Sequence, residues 1–173
     1  MPYPTNISDA AWNFILPLLQ DAGHRVENRQ HSLRTIVDAC FYLVDNSTKW
    51  RNLPNDFPSW KTIYHYFRSW SISGLWLELN QIIVEAVRFA SGREETPSLA
   101  SIDSQSQTAE PGVEERGIDG NKRINGRKKH ISVDCLGLLL FCLVTAANTH
   151  DAGPGQSLIE DLNDAIRNSL RSY

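Results

Sequence analysis

Apolar residues in the first 90 positions recur at the three- and four-residue spacing of amphipathic helices. The pattern predicts four helices, and serines or a glycine mark their ends. They are expected to begin after Ser8, at about Ser32, near Ser59 and after Gly74. The stretches 21–30 and 46–58 would be connectors. The positions predicted to be buried include Trp12, Ile15, Leu19, Leu33, Ile36, Cys40, Val44, Ile63, Phe67, Trp70, Leu79 and Ile82. Residues 1–90 are therefore predicted to form a small helical bundle.

The periodicity changes after residues 91–98, which have the composition of a linker. A short strand is predicted at 99–104, and a long polar loop at 107–126. Two apolar stretches, 130–134 and 138–145, are typical of a hairpin.

A break at 153–155 and an amphipathic helix at 156–170 would end the second domain, which is predicted at 99–173. The predicted fold class is α+β: a helical bundle, then a β-β-β-α unit.

Composition places the chain among ordinary globular proteins, with 173 residues, 41% hydrophobic residues and 21% charged residues. No secretory signal pattern is present at the start. The longest apolar run is far shorter than the ~20 residues that span a bilayer, so no membrane partner is expected. The three cysteines are Cys40, Cys135 and Cys142. They lie in apolar stretches without metal-site spacing, so buried reduced thiols and a cytoplasmic location are predicted.

The charge distribution favours a nucleic-acid partner although the net charge is −3. Residues 122–129 hold five basic residues in eight positions, and a local patch determines phosphate contact more than the global sum does. With glycines around it, this stretch is predicted to be a flexible loop that could wrap a DNA backbone. A solvated turn is the alternative. The candidate DNA-binding residues here are Lys122, Arg123, Arg127, Lys128 and Lys129.

A second group of cations lies on the third predicted helix. Lys61, His65 and Arg68 share one side, while Trp60, Ile63 and Phe67 occupy the other. The helix would be either the recognition helix of a helix-turn-helix unit or a core helix with a basic outer face. The preceding connector is much longer than the usual turn of that motif.

Asp103 is the candidate catalytic and metal-binding residue. It lies on a short predicted strand between Ile102 and Ser104, ahead of the basic stretch. A carboxylate on a rigid strand is a hard-oxygen ligand suited to Mg²⁺ in phosphoryl transfer, whereas a cap or turn residue is the plain alternative. Asp134, Asp151, Glu160 and Asp161 are weaker candidates, best explained by turns, caps or a solvated helix face.

Several segments together resemble the transposases of the bacterial insertion element 4 and 5 families. They are PTNISDAAW at 4–12, WRNLPNDFPSW at 50–60, IDSQS at 102–106, GRKKH at 126–130 and VDCLGL at 133–138. The resemblance implies a ribonuclease H-like catalytic core and a DDE site that cuts and joins DNA with Mg²⁺ or Mn²⁺. Asp103 would be the first acid of that site.

The second Asp and the Glu of the family would lie beyond residue 173. The resemblance thus implies the front portion of a transposase, truncated or split and inactive alone. It would bind the terminal inverted repeats of its element in the nucleoid, and would self-associate or combine with a complementing C-terminal segment. The alternative is a non-catalytic, DNA-binding regulator of the element.

Overall fold

A computed structural model describes residues 3–21, 31–109 and 112–171 of the chain. The helices are α1 (Asp9–Asp21), α2 (Leu33–Asp45), α3 (Trp60–Ser73), α4 (Leu75–Ala90) and α5 (Ala152–Arg171), with a short 3-10 helix at Trp50–Asn52. The strands are β1 (Ala100–Thr108), β2 (Gly117–Asp119), β3 (Ile124–Asp134) and β4 (Leu139–Ala146). The chain divides into two compact units, residues 1–79 and residues 80–173. The architecture is α+β, as predicted.

The predicted helix boundaries are confirmed because each depends on a local cap. The hydroxyl oxygens of Ser8, Ser32 and Ser59 accept hydrogen bonds from backbone N–H groups three residues later. Gly74 ends α3 with a φ of +80°, in the left-handed region that glycine adopts readily. Of the loop predicted at 21–30, Asp21 is the last residue of α1 and the rest lies outside the described residues.

The core of residues 1–79 lies between these helices and is rich in aromatic rings. Trp70 is fully buried, and its ring centroid lies 5.2 Å from that of Trp76 and 5.7 Å from that of Tyr66. Most positions predicted to be buried are buried or half-buried. Val44 is an exception, because it lies on the outer side of α2 and is 71% exposed. Phe41 and Ile83, which the same apolar pattern predicts to be buried, are 39% and 40% exposed.

The second unit is built on β3, the longest strand. β1 pairs with it antiparallel along one side, from Ala100↔Asp134 to Thr108↔Gly126. β4 pairs with the other side, and the short β2 continues that side beyond the end of β4. Side chains alternate between two faces of the sheet. One face is buried at every second residue of β3 from Gly126 to Asp134. The other face is half-buried on β3 and exposed on β1 at Asp103, Gln105 and Gln107, and we call it the open face.

Four sequence predictions are wrong in this unit. The polar loop predicted at 107–126 contains β2 and the start of β3, so the element order is β-β-β-β-α and not the predicted β-β-β-α. The strand predicted at 99–104 extends to Thr108, and most of the basic stretch predicted as a flexible loop is the regular strand β3. The break predicted at 153–155 is the first turn of α5, where the missing N–H of Pro154 leaves no helical hydrogen bond unmade.

The prediction of three buried thiols holds only for Cys40. Burial raises the pKa of its thiol to about 12, so it stays protonated. Cys135 and Cys142 are exposed, because one lies in a turn and the other on the open face of β4.

Candidate nucleic-acid interface

Asp103 lies near the middle of β1 with its side chain exposed. It is directly opposite Ile131 of β3, and its Oδ1 accepts a hydrogen bond from the backbone N–H of Ser104 at 2.8 Å. The paired strand fixes its backbone, so the carboxylate is held on the open face of the sheet.

Two of the predicted cations share this face with Asp103. Lys129 is opposite Gln105 and Arg127 is opposite Gln107, so both are on the same side of the pleat as residue 103. Lys129 is the diagonal cross-strand neighbour of Asp103, and the Cα atoms of such a pair are about 7–8 Å apart. Together, Asp103, Arg127 and Lys129 form what we call the acid–base strip.

Arg127 is only weakly engaged within the chain. One of its terminal nitrogens lies 3.4 Å from Glu115 Oε2, an exposed pair of a kind that contributes little stability. Its Nε is buried and has no hydrogen-bond partner among the described residues, so an external anion does not reach it. The side chain as a whole is 37% exposed, and contact with an anion would therefore be made by the terminal nitrogens of the guanidinium.

Lys128 lies on the opposite, buried face. Its Nζ donates to the carbonyl oxygen of Thr149 and to Asp151 Oδ1, each at 2.9 Å, and only 10% of its side chain is exposed. The Lys128 ammonium holds the pKa of the Asp151 carboxyl below its usual range. The structure thus separates Lys128 from the two cations beside it in sequence, a consequence of the two-residue strand period.

The buried face contains further polar groups that the sequence analysis missed. His130 is 1% exposed, its Nε2 lies 3.0 Å from Thr145 Oγ1, and burial lowers the pKa of its ring. The Ser132 hydroxyl accepts from the backbone N–H of Phe141. These groups lie behind the acid–base strip and pair β3 with β4.

Lys122 and Arg123 are exposed in the turn between β2 and β3. Asp119, which is buried at the end of β2, organises this turn. Its Oδ2 accepts from the Ser106 hydroxyl at 2.6 Å, and its Oδ1 accepts from the backbone N–H groups of Asn121 and Lys122. The Ser106 hydrogen bond is the main reason that the pKa of Asp119 is lowered.

Asp134 is part of a buried ion pair with Arg88, which the sequence analysis also missed. The Arg88 guanidinium contacts Asp134 Oδ2 and donates to the carbonyl oxygens of Glu94, Glu95 and Thr96. Asp134 Oδ1 accepts from the backbone N–H groups of Leu136 and Leu138. Burial opposes ionisation of Asp134, but these hydrogen bonds and Arg88 lower its pKa.

This cluster orders the predicted linker, because three of its carbonyl groups are held by one arginine. In the sequence, Arg88 at the end of the apolar stripe of α4 was the only indication of this ion-pair cluster.

The three cations predicted on the third helix, Lys61, His65 and Arg68, are all exposed on α3, while Ile63 and Trp70 are buried behind them. Lys61 Nζ lies 5.9 Å from the centroid of the Trp60 ring, within the range of a cation–π contact. The three cations therefore form one exposed basic face on the helix.

The described residues contain no group of three or more histidine, cysteine, aspartate or glutamate side chains able to hold a metal ion. Glu160 and Asp161 are exposed on α5, and Glu160 accepts a hydrogen bond from Gln156. Asp103 is thus the one residue of the predicted metal site that the described part of the chain places on the open face.

Comparison of the sequence with known proteins finds matches to transposase families. The family model described as a transposase of the IS4/5 family matches residues 7–80, and the model of the transposase DDE domain matches residues 94–171. An uncharacterized 16.2 kDa protein of insertion element IS402 from Burkholderia cepacia is 27% identical over 106 residues, which cover 58% of this chain and 71% of that protein. No solved structure matches the chain.

The helical region and the antiparallel sheet are consistent with a DDE transposase domain of the ribonuclease H-like type. The matches to both models, together with the relative from an insertion element, support an insertion-sequence transposase of the IS4/5 family. In the described ranges, no helix is both long enough and apolar enough to cross a bilayer.

Proposed function

We propose that this chain binds the ends of its insertion sequence as duplex DNA, with a phosphodiester lying on the acid–base strip. The observation that carries the proposal is the strand register, which aligns Asp103, Lys129 and Arg127 on one open face. Lys129 and Arg127 would hold phosphate oxygens beside Asp103. Chain-wide charge does not oppose this, because binding to phosphate depends on the local patch.

Asp103 would serve as one carboxylate ligand of Mg²⁺ or Mn²⁺. Its exposed oxygens have the hard-ligand chemistry that these ions prefer. The bound ion would polarise the phosphodiester for strand cleavage and transfer. Two-metal chemistry needs further carboxylates, so the described residues alone are expected to be inactive, and another segment or polypeptide would complete the site.

A segment or polypeptide that completes the site would pair with the outer edge of β1. Among the described residues β1 pairs only with β3, which leaves the second edge of the Asp103 strand without a partner strand. Unpaired edges associate readily with other strands. We propose that a complementing transposase segment, or a second copy of the chain, pairs at this edge.

The exposed basic face of α3, formed by Lys61, His65 and Arg68, would contact the same DNA in the manner of a recognition helix. Binding to the ends of an element in the bacterial chromosome would place the protein in the nucleoid.

A regulator of the element is the second candidate function. The exposed cations of α3, Lys61, His65 and Arg68, favour it, because they could hold DNA without a metal ion. Such a regulator would bind DNA without needing Asp103 or a divalent ion, whereas a transposase component would need both for cleavage once its missing carboxylates are supplied.

Replacing both cations of the acid–base strip by glutamine tests the proposal. The double variant Arg127→Gln/Lys129→Gln should reduce the slope of log affinity against log salt by about two, because each lost phosphate contact releases about one counterion fewer. Arg93→Gln is the matched control, since Arg93 is exposed in the same unit but lies outside the sheet. Equal slopes for the double variant and the wild-type protein, measured by fluorescence anisotropy, would contradict the proposal.

A further inference from the structure

Ile118 is an exposed isoleucine on the same open face as the acid–base strip. It is 63% exposed in the middle of β2 and lies opposite Asn125 of β3. Asn125 is two residues from Arg127, so Ile118, Arg127 and Lys129 share one side of the pleat. A single exposed apolar residue is ordinary by itself. The surroundings of Ile118 make it unusual.

The backbone on both sides of Ile118 is fixed. Asp119 is buried and bonded to the Ser106 hydroxyl and to two N–H groups of the following turn. Gly117 packs so closely on Asn148 that an added Cβ would lie 2.0 Å from its Oδ1. Because Gly117 and Asp119 are both fixed in this way, the backbone cannot rotate to bury the Ile118 side chain, which stays exposed to solvent.

Cations flank this side chain. Lys122 and Arg123 are exposed in the turn that Asp119 organises, and Arg123 has a φ of +54°, which is uncommon for a residue other than glycine. Arg127 lies on the other side, on the neighbouring strand. Of the acids within four residues of Ile118, Glu114 is exposed, Glu115 is paired with Arg127 and Asp119 is buried beneath the turn. The turn end of the β2–β3 hairpin, which we call the tip, therefore presents one apolar side chain beside the cations Lys122 and Arg123.

We propose that Ile118 is an apolar wedge that inserts between base pairs from the minor groove of bound duplex DNA, with Lys122 and Arg123 on the flanking phosphates. The proposal rests on the proposed function and adds a residue to it. Wedges of this chemistry unstack a base step, and cations beside them hold the backbone. Phosphate complements the charge of this tip, and the same strand leads directly to the acid–base strip.

The register also gives the place of insertion. Ile131, opposite Asp103, and Asn125, opposite Ile118, are six residues apart on β3. Six residues of strand span about 20 Å, which is about six steps along one DNA strand. The unstacked step should therefore lie about six base pairs from the phosphodiester beside Asp103.

The test compares Ile118→Ser with Lys122→Gln/Arg123→Gln on a labelled mixed-sequence duplex. Ile118→Ser should weaken binding about tenfold, the affinity equivalent of burying one aliphatic side chain. It should leave the salt slope unchanged, because an apolar contact releases no counterions. The two-cation variant should instead lower the slope by about two. Ile159→Ser, a 50% exposed isoleucine of α5, is the matched control and should leave affinity unchanged.

The same duplex with 2-aminopurine at its TA steps, which unstack most easily, reports the insertion itself. Wild-type protein should raise the fluorescence and Ile118→Ser should not. The wedge is overturned if Ile118→Ser binds and unstacks like the wild-type protein while DNA binding persists. If the wild-type protein fails to bind the duplex even at low salt, both the wedge and the proposed function are wrong. Circular dichroism of each variant confirms that the comparison is between folded proteins.

Discussion

Replacing Arg88 by methionine is expected to reduce the stability of the sheet unit by about 3–5 kcal/mol, because it leaves the Asp134 carboxylate buried without its counter-charge. Both side chains are almost fully buried, at 4% and 0% exposure. The change also removes the donors to the carbonyl groups of Glu94, Glu95 and Thr96. The start of β1 should loosen as a result.

Hydrogen exchange of the β3 backbone amides measures this loss of stability. The five tryptophans all lie within residues 1–79, so their fluorescence reports the other unit. Arg93→Met, an exposed neighbour, should change stability by no more than about 0.5 kcal/mol. The deficit of Arg88→Met should narrow as the pH falls, because burial without Arg88 raises the pKa of Asp134 in the variant, whereas the hydrogen bonds and Arg88 keep that pKa lowered in the wild-type protein. Asp134 is therefore protonated first in the variant, which removes its uncompensated charge. Unchanged exchange rates in β3 would show that the ion pair does not hold the sheet.

Replacing Trp70 by alanine is expected to destabilise the helical unit by about 3–5 kcal/mol. Trp70 has no exposed surface and contacts the rings of Tyr66 and Trp76, so truncation leaves a cavity that its neighbours only partly fill. Urea unfolding followed by the fluorescence of the four remaining tryptophans measures the loss.

Trp70→Phe is the matched variant, because it keeps an aromatic ring in the cavity and should cost less than the alanine change. Equal losses for the two variants, or no loss for alanine, would mean that Trp70 is not a packing centre of this core.

The helices could be predicted from the sequence because their signals are local. Ser32 and Ser59 cap helices whose first turns lie within three residues, and Gly74 ends α3 through its own backbone conformation. Each of these features needs only neighbouring residues, so the pattern of apolar positions was sufficient.

The sheet could be predicted only in part because its determinants are distant in sequence. The stretch from Lys122 to Lys129 has a glycine and the charges of a loop, yet β1 pairs with its second half, from Gly126 to Lys129. Lys128 can be buried because Asp151, 23 residues later, accepts a hydrogen bond from its ammonium group. Arg88 and Asp134 are 46 residues apart, and no local pattern joins them. The separation of Lys128 from Arg127 and Lys129 followed only once the strand was known.

Native cysteines provide the most direct test of the central claim, that duplex DNA lies on the open face beside Asp103. Cys142 of β4 is opposite Ile131, which is opposite Asp103, so its exposed thiol lies in the same row of the sheet. Cys135 is exposed in the turn beyond β3, on the far side of that row from Arg127, and serves as an internal control. Alkylation of both thiols would be timed by mass spectrometry with and without a saturating DNA duplex. We expect DNA to slow the modification of Cys142 severalfold and to leave Cys135 unchanged. Equal alkylation of Cys142 with and without bound DNA would contradict the account.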